Sequence, residues 1–514
     1  MRTPGLKNKT FPFYPLPLLS FPFIHLWATN IDQHLQFSQL LPPYLLALVI
    51  SGLLLATGTF LLKSLNKAAF CLSALILIFF SYGHVRNAVL LYVLQTNIPQ
   101  QFFIAAFLIF CAGIPLLFFF VVPKNSGFKR GLFSDAAASY LNIAASILIL
   151  IPLTQIAVFS YYEAPKLLQF TDSEPLPSIG RLPAPLPDIY YIILDEYGRK
   201  DILKKEYNYD NSPFVEELEK LGFYVPKETR SNYLETMYSL SSSLNMRYLK
   251  SPGEDAIQLI RDNRAARILK KAGYQYIFVN SGCNLTDYTP LADKLISRMG
   301  TNDIELMLVN TTFLNGFSAL FFSDSWRARH LYNFQELGKV PEINGPKFTF
   351  AHILLPHPPF VFNKTGGAYE GMTIRFTPQK FNSERYHAAY PEQLQYLNSL
   401  VLKLVHQIIE KSAVPPIIIL QSDHGIDPVA DDWSKPETVY KRSANFTALL
   451  LPGGAAKNFY DKISPVNIFR VILKTYFGIP LERLPDKTFV PEGDETVKNP
   501  WEDITAKIKS ARLE

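Results

Sequence analysis

The chain has 514 residues, a formal charge of +6, 48% hydrophobic and 14% aromatic residues, and only 18% charged ones. So apolar a composition excludes intrinsic disorder, and three cysteines, with Cys71 and Cys111 inside apolar runs, exclude a disulfide scaffold. Residues 1–180 carry 10 Lys/Arg against 5 Asp/Glu and the remainder 40 against 39, so the basic excess lies in an apolar third, not on a folded domain as a nucleic-acid binder requires.

The first third predicts a membrane domain. Crossing a bilayer takes about 20 apolar residues, and five runs approach or exceed that: 11–28, 45–62, 68–83, 102–122 and 136–159. Pro12, Pro15, Pro17 and Pro22 interrupt the first, and 88–94 extends the third or dips back. Pro42 and Pro43 precede the second, where a helix start tolerates proline. Alternate connections hold Arg2, Lys7, Lys9, Lys63, Lys67, Lys124, Lys129 and Arg130; the others hold only Arg86. That positive-inside bias places the N-terminus in the cytoplasm and everything beyond about Tyr161 outside. No cleaved signal peptide is expected, because the first run lacks a small-residue cleavage site and more runs follow. Apart from His25 and Arg86 the spans carry no ionisable cluster, which argues against a transporter.

Residues 174–187 (EPLPSIGRLPAPLP) contain five prolines and read as a semi-rigid tether. The expected division is therefore 1–165 transmembrane, 166–187 linker and 188–514 extracytoplasmic domain. Beyond the tether, 188–194 (DIYYIIL) has the aromatic and β-branched texture of a buried strand. Helices are predicted over 212–221, closed by Gly222, and over 265–271, 390–409 and 466–476. Strands are predicted at 274–279, 348–355, 417–420 and 446–451. Strands alternating with helices imply an α/β domain with a mostly parallel central sheet covered on both faces. Ligands in such folds bind beyond the carboxyl ends of the strands.

Four strand-end positions carry chemistry. Asp195-Glu196 follows DIYYIIL; a carboxylate there is costly to bury unpaired, although a loop cap is the ordinary alternative. Asp423-His424-Gly425 follows IIILQS. An Asp-His pair alone means little, but at a strand end it offers a hard oxygen and a borderline nitrogen, a set suited to zinc or manganese. Thr236 opens the helical stretch 237–246, at the positive end of the helix dipole, where an ordinary N-cap threonine is the competing explanation. His357 stands in HILLPHPPF (352–360), held clear of the sheet by prolines or packed on Phe360.

Together, PDIYYIILDEYGR, SNYLETMYSLSSSLN, FAHILLPHPPFVF and IIILQSDHG resemble the alkaline phosphatase superfamily, sulfatase-like branch. Combined with a five-span N-terminal domain, the chain is similar to lipoteichoic acid synthases and lipid A phosphoethanolamine transferases. The resemblance implies one divalent metal, manganese or zinc, on Asp195, Thr236, Asp423 and His424. It also implies that Thr236 is the nucleophile that becomes phosphorylated, and that His357 contacts the transferred group. The function implied is a membrane-bound phosphotransferase moving a phospholipid-derived phospho-headgroup to a cell-envelope acceptor at a bacterial inner membrane. A phosphodiesterase or phosphatase of the same superfamily, or a non-catalytic envelope protein using the domain for binding, are the alternatives.

Departures from the family narrow the subtype. No cysteine or serine stands in a C/S-x-P-x-R context, so sulfatase chemistry through formylglycine is not expected. His424 is the last histidine, which favours one metal; residues 426–440 offer Asp427, Asp431, Asp432 and Lys435 where relatives carry another histidine. Arg247, Arg327 and Arg385 are the arginines considered for substrate, with solvated surface as the competing reading of each.

Overall fold

The computed structural model describes residues 10–31, 35, 37–89, 131, 133–162, 175–180, 182, 184–298, 302–314, 318–369, 383–427, 435–491 and 500–510. They fall into two compact units, Met1–Lys166 with Asn302–Phe321, and Leu167–Thr301 with Phe322–Glu514.

The first unit is helical. Its helices are α1 (Pro15–Thr29), α2 (Phe37–Leu62), α3 (Leu65–Ala88) and α4 (Asp135–Tyr162). Among the described residues α2, α3 up to Arg86, and α4 are long and apolar enough to cross a membrane, with mean hydropathies of 2.4, 1.9 and 2.2. The run at 102–122 lies outside the described residues, and α1 spans 15 residues, so the described residues account for three of the five predicted spans. Leu45, Leu46, Val49 and Leu53 of α2 are exposed, as expected of a lipid-facing surface. Asn142 of α4 ties down the start of α1: its Oδ1 accepts from Phe13 N and Tyr14 N at 3.0 and 2.9 Å, and its Nδ2 donates to Phe11 O. Those bonds satisfy backbone groups that a helix start leaves unpaired. Helix α6 (Asp303–Thr311) also belongs to this unit and packs on α2 and α3. A capping box between Asn302 and Glu305 starts it.

The second unit is built on a seven-stranded sheet in the order β2-β7-β6-β1-β5-β3-β4. The strands are β1 (Ile189–Leu194), β2 (Phe223–Tyr224), β3 (Gln275–Val279), β4 (Lys294–Ile296), β5 (Lys347–Ile353), β6 (Ile417–Gln421) and β7 (Thr447–Leu450). Strand β1 is central and parallel to both β5 and β6, and β3 is parallel to β4 and β5. The β6–β7 and β7–β2 pairs are antiparallel. All six residues of β1 are buried, which accounts for its unbroken apolar sequence.

Helix α5 (Thr236–Asn245), α8 (Ser383–Lys411), α9 (Pro436–Ser443) and α10 (Pro465–Phe477) follow in chain order, with α7 (Ser318–Leu337) preceding β5. Helix α8 starts seven residues before the predicted 390 and runs through Pro391. Two tyrosines in the turns before Pro391 account for it: Tyr386 OH donates to Glu196 Oε1, and Tyr390 OH donates to Glu196 O at 2.7 Å. Tertiary contacts there outweigh the N–H that proline lacks. A two-stranded ribbon, β8 (Phe489–Pro491) with β9 (Trp501–Asp503), and the short α11 (Thr505–Ser510) complete the described chain.

Candidate active site

Register aligns the site. Ile193 of β1 is level with His352 of β5 and Gln421 of β6, so Asp195 and Asp423-His424 leave neighbouring parallel strands at the same end. Strand β1 is where chain order turns outward to both sides, the crevice in which open α/β sheets bind ligands. The Glu196 N–H donates to Asp423 Oδ1 at 3.1 Å, tying the two tips together. Glu196 adopts φ 63° to do so, a left-handed conformation that costs a branched-free side chain about 1 kcal/mol or more.

Asp195, Asp423 and His424 form a buried group whose ligand atoms all lie within 4.8 Å of one another. His424 Nε2 stands 3.1 Å from Asp423 Oδ2 and 3.9 Å from Asp195 Oδ1. Thr236 Oγ1 donates to Asp423 Oδ2 at 2.7 Å and lies 3.3 Å from His424 Nε2. Four ligands about 2 Å from a tetrahedral centre stand roughly 3.3 Å apart, so this cradle has the right size for a divalent ion. Two further observations agree. Asp195 Oδ1 is buried with no hydrogen-bond partner. His424 Nδ1 faces Gly425 O at 2.9 Å; a carbonyl only accepts, so Nδ1 carries the proton and Nε2 keeps its lone pair for a ligand.

Thr236 is not an N-cap. Glu235 occupies that position without a side-chain cap bond, and Thr236 is the first helical residue. Ser239 Oγ donates to Asp423 O at 2.6 Å, which fixes the start of α5 against the β6 tip. Thr236 is thus delivered to the cluster by its own helix.

His357 is not part of that group. Its backbone N–H donates to Asp195 O at 3.2 Å, and its Nδ1 donates to Pro358 O, which leaves Nε2 turned to Glu196 Oε2 at 3.7 Å. Its side chain is 33% exposed, so it stands at the mouth of the site, clear of the sheet as the flanking prolines suggest. Desolvation works against its charged form, but the carboxylates of Asp195 and Glu196 outweigh this and raise its pKa.

Asp195 is held well below the usual carboxylate range: burial pushes upward, and His357, His352 and His424 together pull harder downward. Glu196 goes the other way, raised to about 7 by burial against the opposing charges of His357 and Arg442. His424 is lowered by burial and by the Arg442 cation.

Two residues were missed as site members. His352, within β5, puts Nε2 3.3 Å from Asp195 Oδ2 and Nδ1 2.7 Å from Thr286 Oγ1. It is a positioning residue behind the carboxylate; the signal was a histidine near the carboxyl end of a strand buried along its whole length. Arg442 ends α9 with Nη2 3.0 Å from His424 Nε2 and Nε donating to Leu234 O at 3.0 Å. The sequence predicts no helix over 436–443, so nothing in it marks Arg442. The arginines considered from sequence sit elsewhere: Arg247 pairs with Glu254 and Arg327 with Asp324, while the side chain of Arg385 lies outside the described ones. Asp427 reaches the site through its backbone, whose N–H donates to Glu196 Oε1 at 2.9 Å. Lys435 is the exposed residue before α9, and Asp431 and Asp432 lie outside the described residues.

No family model matches this chain, and no curated protein does. Among solved structures it is similar to the C-terminal periplasmic domain of EcEptC from Escherichia coli in complex with zinc, at 14% identity over 64% of this chain and 94% of that one, TM-score 0.44. It is similar to the phosphonate monoester hydrolase of Agrobacterium radiobacter at 16% identity, over 60% and 81%, TM-score 0.42. The integral membrane lipooligosaccharide phosphoethanolamine transferase A of Neisseria meningitidis is similar at 13% identity, over 91% and 95%, TM-score 0.39. The structural neighbours are thus phosphoethanolamine transferases and members of the alkaline phosphatase superfamily.

Proposed function

We propose that this chain is a membrane-bound, metal-dependent phosphotransferase in which Thr236 carries a covalent phosphoryl intermediate. It takes a phospho-headgroup from a phospholipid or lipid-linked donor and passes it to a cell-envelope acceptor. The observation that carries the proposal is the convergence of Thr236 Oγ1, Asp423 Oδ2 and His424 Nε2 within 3.3 Å, beside the unpartnered Asp195 Oδ1.

Asp195, Thr236, Asp423 and His424 would hold one divalent ion, zinc or manganese. Bound there, it would supply Lewis-acid chemistry, lowering the hydroxyl pKa of Thr236 and neutralising charge on the phosphoryl oxygens. The chain's own residues do the rest. Thr236 Oγ1 attacks phosphorus, a P–O bond to Thr236 forms, and the ester P–O bond to the donor alcohol breaks. The hydroxyl proton leaves toward Asp423 Oδ2, which already accepts it in a hydrogen bond of 2.7 Å. The alkoxide leaving group takes a proton from His357 at the site mouth. The N–H groups that open α5 face the negative charge that builds on the phosphoryl oxygens. A second alcohol, giving its proton to His357, then attacks the phospho-threonine; the P–O bond to Thr236 breaks, and the proton held at Asp423 returns to Thr236 Oγ1. Water in that role would make the protein a hydrolase, and the acceptor dependence of turnover separates the two.

The membrane arrangement is part of the proposal. We place five spans in 1–165, the N-terminus in the cytoplasm, a linker at 166–187 and the catalytic part 188–514 outside, at a bacterial inner membrane. The charge bias of the connections supports this orientation.

Intact mass of the purified full chain, incubated with manganese or zinc and total phospholipid, tests the proposal. A phosphoryl-containing adduct on the wild type and none on Thr236→Ala is the expected result, and the added mass identifies the transferred group. Metal bound without turnover or adduct across donor classes counts against it.

A further inference from the structure

Beside Thr236 lies a second space that the transfer steps do not use. A cavity of about 540 Å³ opens between the start of α5, helix α9 and the β8–β9 ribbon, a size within the roughly 300–1,000 Å³ of ligand pockets. Its walls are carbon-rich: Tyr233, Tyr238, Phe489 and Trp501 supply rings, and Val439 and Ile504 supply aliphatic surface. The rings are locked to one another, with Trp501 edge-on to Tyr233 at 4.7 Å and to Tyr238 at 4.9 Å between centroids. Tyr233 stacks on Phe489 at 5.7 Å, and its hydroxyl accepts from Leu249 N at 2.8 Å. The wall is therefore built in place and buries aromatic surface in a fixed shape.

One charged residue joins this groove to the catalytic cluster. Arg442 lines the cavity and reaches His424 with Nη2. Its Nη1 is buried with no hydrogen-bond partner, 4.0 Å from Glu196 Oε2. His424 Nε2 has one lone pair, so an ion on that atom and the Arg442 contact exclude each other. Filling the metal site therefore frees Nη2 as well, leaving a two-pronged guanidinium at the boundary between cluster and groove. A guanidinium with two free N–H groups fits a phosphate oxygen pair.

From this juxtaposition we propose that the groove holds the alkyl limb of a lipid phosphate ester, with Arg442 gripping the phosphate where the limb meets the catalytic cluster. The proposal rests on the phosphotransfer reading for the phosphate end, and on the groove itself for the chain. A saccharide would demand donors and acceptors along its length; Glu502 and Lys507 on this wall are paired with each other, Glu235 at the start of α5 is the one further charged side chain besides Arg442, and the remaining lining is mostly ring and aliphatic carbon.

The test uses the full chain held in amphipol and dialkyl phosphates that share one ethyl ester and carry methyl, butyl or octyl as the second, with release of that second alcohol as the readout. Each methylene buried in the groove raises kcat/KM by about fourfold, with the change in KM. Val439→Trp, which fills the groove from α9, brings the octyl-to-methyl ratio of kcat/KM to near one. Binding of butyl and octyl phosphonates, read by tryptophan fluorescence with Trp501→Phe as the blank, reports the groove without turnover. A flat chain-length series with turnover intact overturns the groove and spares phosphotransfer. The same slope in Val439→Trp as in wild type also overturns it. Chain-dependent phosphonate binding with no turnover of any ester upholds the groove and sinks the phosphotransfer reading, whereas neither binding nor turnover removes both.

Discussion

Thr236 Oγ1 donates to Asp423 Oδ2 across 2.7 Å although 187 residues separate them. A hydrogen bond to an ionised carboxylate is among the stronger ones, about 1.5–3 kcal/mol, so the hydroxyl is aimed before any substrate arrives. Thr236→Ala should lower kcat by roughly three orders of magnitude or more, the scale seen when a nucleophile is removed. Thr236→Ser keeps a hydroxyl at the same atom and should recover a measurable part of the rate. Equal loss in both variants, measured as steady-state transfer, would point away from a nucleophilic hydroxyl.

His352 acts on the site only through Asp195. Its ring spans from Thr286 Oγ1 at 2.7 Å to Asp195 Oδ2 at 3.3 Å, the arrangement by which an outer group orients a ligating carboxylate. Chelation of the wild type should abolish transfer, and zinc or manganese should restore it with about one ion per chain. His352→Gln should weaken metal affinity about 10- to 100-fold and leave kcat at saturating metal less affected. A purely structural role for His352 predicts the reverse, a lower melting temperature with unchanged metal affinity.

The strand-end residues were legible for a physical reason. An apolar run such as DIYYIIL or IIIL ends where its first charged residue emerges, so Asp195 and Asp423 announced their own position. Arg442 was not legible, because its place depends on β7 returning antiparallel beside β6, which carries the end of α9 under His424. The sequence around it predicts no helix, and only tertiary packing brings it to the site. His352 was hidden by its strand: it lies within a β5 buried along its whole length, where texture reports burial and not the partner. The early start of α8 had the same cause, since proline at 391 reads as a helix boundary until Tyr386 and Tyr390 find Glu196.

Gly425 tests how tightly Arg442 is placed. Its N–H donates to Arg442 O at 2.6 Å, and a Cβ there would lie 2.2 Å from Lys441 O and 2.8 Å from Ala444 O. Those are backbone atoms and cannot step aside cheaply. Gly425→Ala should push the end of α9 away from His424, destabilise the protein by about 1–3 kcal/mol, and reduce transfer beyond what lost stability explains. The melting temperature and kcat/KM measured on the folded fraction separate the two effects. Full activity with an unchanged melting temperature would show that the contact is not rigid.

His330 should set part of the acid limit of stability. It is buried on α7 at 2% exposure, with Trp326 and Phe362 rings 6.2 and 6.3 Å from its own. Burial, aided by the charges of Arg329 and His352, lowers its pKa to about 3. The unfolded chain takes up this proton near pH 6.5 and the folded one does not until about pH 3. Stability from this group is therefore intact above pH 6.5 and declines as pH falls toward 3, by about 1.4 kcal/mol per unit. At pH 5 the loss is about 2 kcal/mol. His330→Phe removes the titrating ring while keeping an aromatic volume, so its melting temperature should fall less steeply between pH 6.5 and 5 than that of the wild type. Parallel curves for the two proteins over that window would mean that His330 is protonated in the fold, and that the local aromatic packing opens enough to hydrate it.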